Sequence, residues 1–312
     1  MRIFFRMAAS IVGTAALLGA LLALVLHFWP GTDKITVAAA AVSPVLWVAC
    51  IAIALVCLLY VRALLRLVLA VAVVAAGIWV QAPLWRGEPA PAGPTLTVLS
   101  ANIQVGAGDV EALATLVREN RVDVLAVLEV TDDAARRIAA SSIATDLPHS
   151  IVRPAALADG TALYSRHPLK STGTVPGFVM NALTAVATVP GRGDVQLFAL
   201  HPMPPLDPET WDSELRRIGA LLQGVPEGRP VVALGDYNAT YDHVRFRSLL
   251  TGGYRDAGQL ASAGWLPTYP TDKVYPPVVG IDHVLLRGLG AAEVTGHEVP
   301  GADHRALLAR VG

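Results

Sequence analysis

Cysteine and charge are scarce in this sequence, and each scarcity excludes a class of protein. The only two cysteines, Cys50 and Cys57, lie in one apolar run, so the rest of the chain has neither a disulfide framework nor a zinc–thiolate site. Charged residues make up 16% of the 312 residues and the mean hydropathy is +0.51, which is too apolar for an ordinary soluble enzyme. The shortage is concentrated before residue 85, where five Lys or Arg accompany one acid, Asp33. This part of the chain is therefore expected to lie in a membrane.

Three apolar runs fill this first part, at about residues 7–29, 36–60 and 63–82. Each is close to or above the roughly 20 residues that a helix needs to cross a bilayer. A cleavable signal peptide would account for the first run but would leave the other two unexplained. We therefore predict a membrane anchor over residues 1–82 with three transmembrane helices, and we expect Cys50 and Cys57 to be packing residues of the second.

The positions of the basic residues predict how the anchor is oriented. Arg2 and Arg6 precede the first run, and Arg62 and Arg66 flank the turn between the second and third. Short loops rich in Lys and Arg stay on the cytoplasmic side. We therefore expect a multi-pass protein of the cell membrane whose large domain lies on the extracytoplasmic side.

A Pro- and Gly-rich linker is predicted over residues 83–95, followed by a domain over 96–312. Apolar segments of strand length and amphipathic helical segments alternate in this domain, which predicts an α+β fold with many strands and few helices. After residue 85 there are 19 basic and 24 acidic residues. A nucleic-acid partner is possible but disfavoured, because surfaces that bind duplexes usually carry a basic excess.

Polar residues follow several of the predicted strands directly. The strand 231–235 ends in Gly235, Asp236, Tyr237 and Asn238, and residues two apart on a strand point to the same side, so we expect Asp236 and Asn238 to face one spot. A simple turn is the alternative for this segment. Polar groups also stand at other strand ends or starts: Asn102, Glu129, His201, Asp282, Asp303 and His304.

These residue types together indicate metal-assisted hydrolysis. Carboxylate and carboxamide oxygens are the ligands of hard cations such as Mg²⁺, and imidazoles transfer protons or stabilise charge near neutral pH. Ligand sites are often built at the ends of strands. The sequence therefore predicts a metal-dependent hydrolytic site, with Mg²⁺ as the expected metal and Mn²⁺ as the alternative.

The ordered motifs resemble the endonuclease/exonuclease/phosphatase superfamily, which has the DNase I-like fold. The motifs that carry the resemblance run from about residue 96 to 312: "SANI", "VLEV", "YSRHPL", "ALHP", "GDYN", "IDHVLL" and "ADHRAL". The three apolar runs in front of them are similar to a membrane-anchored bacterial branch that includes vancomycin/teicoplanin-resistance-type proteins. The resemblance implies a sandwich of two mixed β-sheets flanked by helices, and a Mg²⁺-dependent phosphoester hydrolase.

The same resemblance implies which residues bind the metal. Glu129 would be a ligand, with Asn102 and Asp303 close by. The last motif of the family commonly begins with Ser, and Ala302 stands in its place here. This departure removes a hydroxyl but no metal ligand or base, so the implied metal site is complete.

The implied catalytic residues are five. Asp236 would orient or deprotonate the attacking water, helped by Asn238. His304, paired with Asp282, would stabilise charge or donate a proton at the phosphoryl centre, and His201 would contact the phosphate. Positioning and electrostatics dominate phosphoryl transfer, so these groups and the metal would supply most of the rate.

Several alternatives remain open on the sequence alone. The substrate is a phosphoester or pyrophosphate, with a lipid headgroup or a lipid-linked intermediate of the cell envelope as one class, and a tethered nuclease or a non-catalytic binding domain on the same fold as the alternatives. The Pro-rich segment 201–211 is either a rigid connector or a lip, with Met203 and Trp211, that meets a lipid or restricts large polymers. Trp265 and Tyr269 either form the opposite wall of the site or pack in the core. His283 is expected to face away from the site, and His243 to lie in a loop or at the surface.

Overall fold

The computed structural model describes residues 1–89 and 92–312, and they form two compact units. The first unit comprises residues 1–83 together with 241–244, and the second comprises 84–240 and 245–312. The predicted linker 83–95 falls almost entirely within the second unit, and its residues 90 and 91 lie outside the described residues.

The first unit is helical, and three of its helices are long and apolar enough to cross a membrane. The second predicted run, 36–60, differs from expectation because it is divided into two helices at Val42. Pro44 has no N–H to continue the earlier helix, and it lies in the first turn of the next, where none is needed. The helices are α1 (Arg2–Phe28), α2 (Lys34–Ala41), α3 (Ser43–Val61) and α4 (Leu64–Gln81).

The two cysteines pack α3 closely against α1. A Cβ added to Gly13 would lie 2.8 Å from the Cβ of Cys57, and one added to Gly19 would lie 3.0 Å from the Sγ of Cys50. Both cysteines are free thiols. Small residues allow apolar helices to approach each other closely, and the cysteines pack here opposite Gly13 and Gly19.

The first unit contains a buried polar cluster around Asp242. The carboxylate of Asp242 lies 2.7 Å from Nδ1 of His27 and accepts a hydrogen bond of 2.8 Å from Gln81. His243 is also buried, with Nε2 2.9 Å from the carbonyl of Val37. His243 therefore lies in a loop, which is one of the two expected placements, but it is buried rather than at the surface, because residues 241–244 belong to the helical unit.

The second unit contains two six-stranded mixed sheets, which confirms the predicted sandwich. The strand order is β11-β12-β1-β2-β4-β3 in the first sheet and β5-β6-β7-β8-β10-β9 in the second. The β1–β2 and β7–β8 pairs are parallel, whereas the other pairs are antiparallel. The strands are β1 (Leu96–Asn102), β2 (Val124–Leu128), β3 (His149–Arg153), β4 (Thr161–Ser165), β5 (Leu169–Val175), β6 (Ala182–Val189), β7 (Gly193–Leu200), β8 (Val231–Asp236), β9 (Arg255–Asp256), β10 (Asp282–Arg287), β11 (Ala291–Glu298) and β12 (Arg305–Val311).

Helices cover the outer faces of the sheets. Asp109 and Asp207 cap the two longest of them by accepting backbone N–H bonds in the first turn. Strand β1 is buried on both sides: Val98 packs in the core between the sheets, and Leu99 in a second core under the helices. The helices are α5 (Val110–Glu119), α6 (Asp132–Ala140), α7 (Ile143–Asp146), α8 (Pro208–Gln223), α9 (Val244–Arg247) and α10 (Ala257–Leu260).

Strand direction brings the polar strand ends together at one edge of the sandwich. Strands β1 and β2 end there because they are parallel, as do β7 and β8. Their antiparallel neighbours β4, β6, β10 and β12 begin there. We call this the convergent edge. All eight residues that the sequence singled out lie at these strand termini or within two residues of them.

Candidate active site

Asp236 is at the centre of the convergent edge and is almost completely buried, with 1% of its surface exposed. One carboxylate oxygen accepts the backbone N–H of Asn238 at 2.8 Å, and the other accepts the side-chain amide of Asn102 at 3.2 Å. The Nε2 atoms of His304 and His201 lie 3.6 and 3.7 Å from that second oxygen. Burial raises the pKa of Asp236 above its ordinary value, although the two imidazoles oppose the shift. Asp236 is therefore a stronger base than an exposed aspartate.

Gly235 permits this placement of Asp236. Its φ is 155°, and a Cβ at this position would lie 1.9 Å from the carbonyl oxygen of Leu200. Any side chain would push β7 and β8 apart at the point where they deliver His201 and Asp236. The glycine of the "GDYN" motif is thus required by the close approach of two parallel strands.

His304 and Asp282 form a hydrogen-bonded pair, with 2.8 Å between Nδ1 and a carboxylate oxygen. Burial alone would lower the pKa of His304, but Asp282 and Asp236 outweigh it and raise this pKa to about 10. The imidazole is therefore positively charged near neutral pH. The ring of Tyr269 lies 4.8 Å from that of His304, so Tyr269 is a wall of the site.

His201 has the opposite character. It is buried, and burial lowers the pKa of its imidazole below the ordinary value although Asp236 favours the charged form. Asp236 therefore lies between one neutral and one charged imidazole. Such an arrangement separates the tasks of accepting a proton and of stabilising negative charge.

Glu129 and Asn102 form a second part of the site. Glu129 has a positive φ of 61°, a strained conformation for a residue with a side chain. One of its oxygens accepts the backbone N–H of Val105 at 2.7 Å, and the other accepts the Asn102 amide at 3.0 Å. The Asn102 amide thus donates to both Glu129 and Asp236, while its oxygen accepts the N–H of Gln104 at 3.0 Å. This orientation favours Asn102 as a residue that positions the two carboxylates.

Strand alternation, from which Asn238 was expected to face the same spot as Asp236, does not extend as far as Asn238. Strand β8 ends at Asp236, and Asn238 has a φ of 49°. The side-chain amide of Asn238 donates to the backbone carbonyl of Pro202 at 3.0 Å, and the backbone carbonyl of Asn238 accepts the indole N–H of Trp211 at 2.9 Å. Asn238 thereby ties the segment after β8 to the segment after β7. Trp211 is buried, so it is not part of an exposed lip.

The charges of the cluster fit a divalent cation. Three carboxylates, those of Glu129, Asp236 and Asp303, are near one another, and burial together with neighbouring acids raises the pKa of Asp303. A cation would relieve this accumulation of negative charge, and the donors are oxygens and imidazole nitrogens, which suit Mg²⁺ or Mn²⁺.

Within the described part of the chain, another group of three acidic and histidine side chains is close enough together to hold a metal ion. Ligand atoms of Asp236, Asp282 and His304 all lie within 4.8 Å of one another. However, the hydrogen bond between Nδ1 of His304 and a carboxylate oxygen of Asp282 already engages one atom of each of these two residues. Glu129 and Asp303 are therefore the better candidates for ligands.

The sequence analysis missed two buried acidic residues, Glu214 and Asp256, that hold neighbouring groups by hydrogen bonds. Glu214 is buried in α8, and its carboxylate accepts the backbone N–H groups of Val179 and Met203, each at 2.6 Å. Its position three residues after Trp211 on the apolar face of a helix was the available signal. His283 faces away from the site, as expected, and lies 2.7 Å from the carboxylate of Asp256. No local pattern in the sequence marks Asp256 as its partner.

Known structures share this fold. D. rerio TDP2 complexed with a single-strand DNA product is 15% identical, with a TM-score of 0.60 over 70% of this chain and 100% of its own. The endonuclease/exonuclease/phosphatase from Beutenbergia cavernae DSM 12333 is 20% identical, with a TM-score of 0.58 over 70% of this chain and 72% of its own. A family protein from Leptotrichia buccalis C-1013-b is 15% identical, with a TM-score of 0.55 over 70% and 99%.

These identities show similarity of fold alone, and no curated protein sequence matches the chain significantly. The sequence profile of the endonuclease/exonuclease/phosphatase family, however, matches residues 99–304, about two thirds of the chain. This range includes every residue of the cluster at the convergent edge. The chain therefore belongs to the endonuclease/exonuclease/phosphatase family.

Proposed function

We propose that the protein is a membrane-tethered phosphoester hydrolase that uses a divalent metal, Mg²⁺ in the first place. The observation that carries the proposal is the arrangement of Asp236 between a neutral His201 and a charged His304, beside the carboxylate of Glu129. Family membership supports the reaction class. A domain that only binds ligands would have no need for a buried base with a charged imidazole beside it.

Each group has a defined task in this proposal. Glu129 and Asp303 would hold the metal, which would supply positive charge to neutralise the phosphoryl oxygens. The carboxylate of Asp236 accepts a proton from the attacking water. The Nε2–H of His304 donates to the phosphoryl group or to the leaving oxygen, and Asp282 keeps this imidazole oriented and charged.

The three candidate spans favour a substrate that is itself in the membrane. We therefore propose a lipid headgroup or a lipid-linked pyrophosphate of the cell envelope as the substrate class, and an extracytoplasmic active site. The orientation is supported by the basic residues Arg2, Arg6, Arg62 and Arg66, which flank the same ends of the spans.

A tethered nuclease is the second candidate, since the TDP2 structure contains a single-strand DNA product. The excess of acidic over basic residues after residue 85 argues against it.

The test uses the full-length protein in detergent with Mg²⁺ and then with EDTA. The panel contains plasmid and single-stranded DNA, phospholipid headgroup esters and a polyprenyl pyrophosphate. Asp236→Asn and His304→Ala are the inactive variants, and Glu227→Gln, an exposed substitution far from the convergent edge, is the control. Metal-dependent turnover of one class, lost in both variants and retained in the control, would support the proposal. Tight binding without turnover of any substrate would contradict it.

A further inference from the structure

We propose that the convergent edge binds the hydrocarbon portion of an amphiphilic phosphoester, with the phosphoryl group at Asp236 and the hydrocarbon against exposed apolar side chains on the surrounding loops. This inference rests on the proposed hydrolase function and assigns the surface that binds the hydrocarbon portion of the proposed lipid substrate. It is carried by the distribution of exposed apolar residues over the second unit.

Exposed apolar side chains are concentrated around the site. Among the described residues of the second unit, eight large apolar side chains are more than 40% exposed, and six of them lie on loops at the convergent edge. The remaining two are Trp85 and Trp265, and Trp85 lies against Gly264. We call the six residues the apolar rim: Val105, Leu157, Val179, Leu206, Val274 and Tyr275.

The strand register of the first sheet places two rim residues at the convergent edge. Val105 follows β1, and its backbone N–H donates to Glu129. Leu157 lies between β3 and β4, and this loop joins Arg153 to Thr161, which pairs with Leu128 directly before Glu129.

Loops of the second sheet supply the other four rim residues. Val179 lies in the connection from β5 to β6, whose flanking residues pair with each other at this edge, and Leu206 lies in the segment that begins with His201. Val274 and Tyr275 are in the loop between Tyr269 and Val279, which form a bridge. This loop is attached to the site, because Thr271 donates its backbone N–H to the carbonyl of Asp303 at 2.8 Å.

The opposite edge of the sandwich has a different surface. Within the described residues, its connecting segments 120–123, 166–168, 190–192, 224–230 and 288–290 contain no exposed large apolar side chain. Leu157 and Leu206 are 70% and 74% exposed, so their apolar area remains in contact with water. Exposed apolar groups gathered at one location mark a binding surface, whereas single ones scattered over a protein do not.

The composition of the rim identifies the chemistry of its ligand. Five of the six residues are aliphatic, and aliphatic side chains neither pair with phosphates nor stack on bases. Lys273, beside Val274, forms an ion pair with Asp272 at 2.7 Å. A polynucleotide would gain little from this surface. An alkyl or isoprenoid chain would gain from it, and the membrane that the candidate spans imply supplies substrates of this kind.

The test compares short-chain and long-chain esters that have the same reacting group. The protein in a nonionic detergent is assayed with methyl and octyl 4-nitrophenyl phosphate. In the measured reaction, water attacks the phosphorus and displaces 4-nitrophenolate. The measured quantity is the ratio of kcat/KM for the octyl ester to that for the methyl ester. Each buried methylene can contribute a factor of up to about 4, so partial burial predicts a ratio above about 10.

Two variants and one control test the role of the rim. We expect the ratio to fall at least about fivefold in Leu157→Asn/Val179→Asn/Leu206→Asn. It should also fall in Val274→Asn/Tyr275→Gln, which changes an independent loop. Glu227→Asn, at the opposite edge, should keep the wild-type ratio. All positions are exposed in the folded chain, and thermal unfolding checks that the variants fold.

The outcomes separate the two proposals. No hydrolysis of either ester, together with no turnover of the phosphoester and pyrophosphate panel described above, would contradict the hydrolase function itself. Hydrolysis of both with a ratio near 1, or a ratio that the rim substitutions leave unchanged, would overturn only the inference about the substrate. If the rim variants lose activity on both esters equally, and only when the protein is in a lipid nanodisc, the rim contacts the bilayer rather than the substrate, and the inference is also overturned.

Discussion

Replacing Gly235 with alanine should abolish most of the activity while leaving the chain folded. The new Cβ would lie 1.9 Å from the carbonyl oxygen of Leu200, whereas real Cβ contacts essentially never fall below 3.0 Å. Strands β7 and β8 must therefore separate by about 1 Å at the end that carries His201 and Asp236. A misplacement of this size costs about 10²-fold in rate, so we expect kcat/KM to fall at least about 10²-fold.

Gly219→Ala is the matched control for this substitution. Gly219 lies in α8, and the nearest atom to an added Cβ is the Cδ2 of Leu249 at 3.6 Å, an ordinary contact. Alanine should stabilise the helix by about 0.5–1 kcal/mol and leave kcat unchanged. The assay is metal-dependent hydrolysis of methyl 4-nitrophenyl phosphate, with thermal unfolding measured in parallel. Activity of Gly235→Ala within threefold of the wild type would refute the argument that strand spacing sets the geometry of the site.

Other predictions follow from the charges of the site. Asp236→Asn should lower kcat by about 10²–10⁴-fold with little change in KM. A change in KM with kcat unaltered would contradict the role of Asp236 as a base. Asp282→Asn should lower the pKa of His304 towards neutrality, so the alkaline limb of the pH–rate profile should move to lower pH; an unshifted limb would remove His304 from the rate-limiting step. EDTA should abolish activity, and Mg²⁺ or Mn²⁺ should restore it and raise Tm by binding the folded state; activity that persists in EDTA would exclude the metal. Burial alone would lower the pKa of His283, but the carboxylate of Asp256 and the backbone carbonyl of Ala239 together outweigh burial, so this pKa is raised. The charged form of His283 therefore stabilises the folded protein fully below the unfolded pKa of about 6.5, and this stabilisation is lost as the pH rises through the folded pKa. The difference in Tm between the wild type and His283→Asn should therefore become smaller at alkaline pH. A difference in Tm that stays constant with pH would count against a charged His283.

The sequence predicts those parts of the fold and of the site that depend on strand ends. Asn102, Glu129, His201 and Asp282 each follow or begin an apolar strand, and the period of a strand and its direction bring such residues to one edge. Helices and strands follow local patterns in the sequence, so the motifs that they carry could be compared with those of a known family from the sequence alone. Their chemical roles remain predictions that the proposed variants test.

Residues outside regular elements could not be placed in the same way. Asn238 departs from strand alternation because β8 ends at Asp236, and Asn238 has a positive φ and hydrogen bonds to Pro202 and Trp211. Asp242 and His243 follow only a few residues later and are held by helices that precede them by about two hundred residues of sequence. Such contacts depend on three-dimensional packing, and no local pattern encodes them.

The candidate site is divided between the two sheets, and this makes it sensitive to the distance between them. Asn102 belongs to the first sheet and donates to Asp236 of the second, while His304, directly before the first sheet's β12, is paired with Asp282 of the second. Both hydrogen bonds cross the sandwich at the end of its apolar core. A substitution that makes that core thinner or thicker would therefore change the rate of catalysis before it unfolds the protein. The rate would then report changes in the distance between the two sheets.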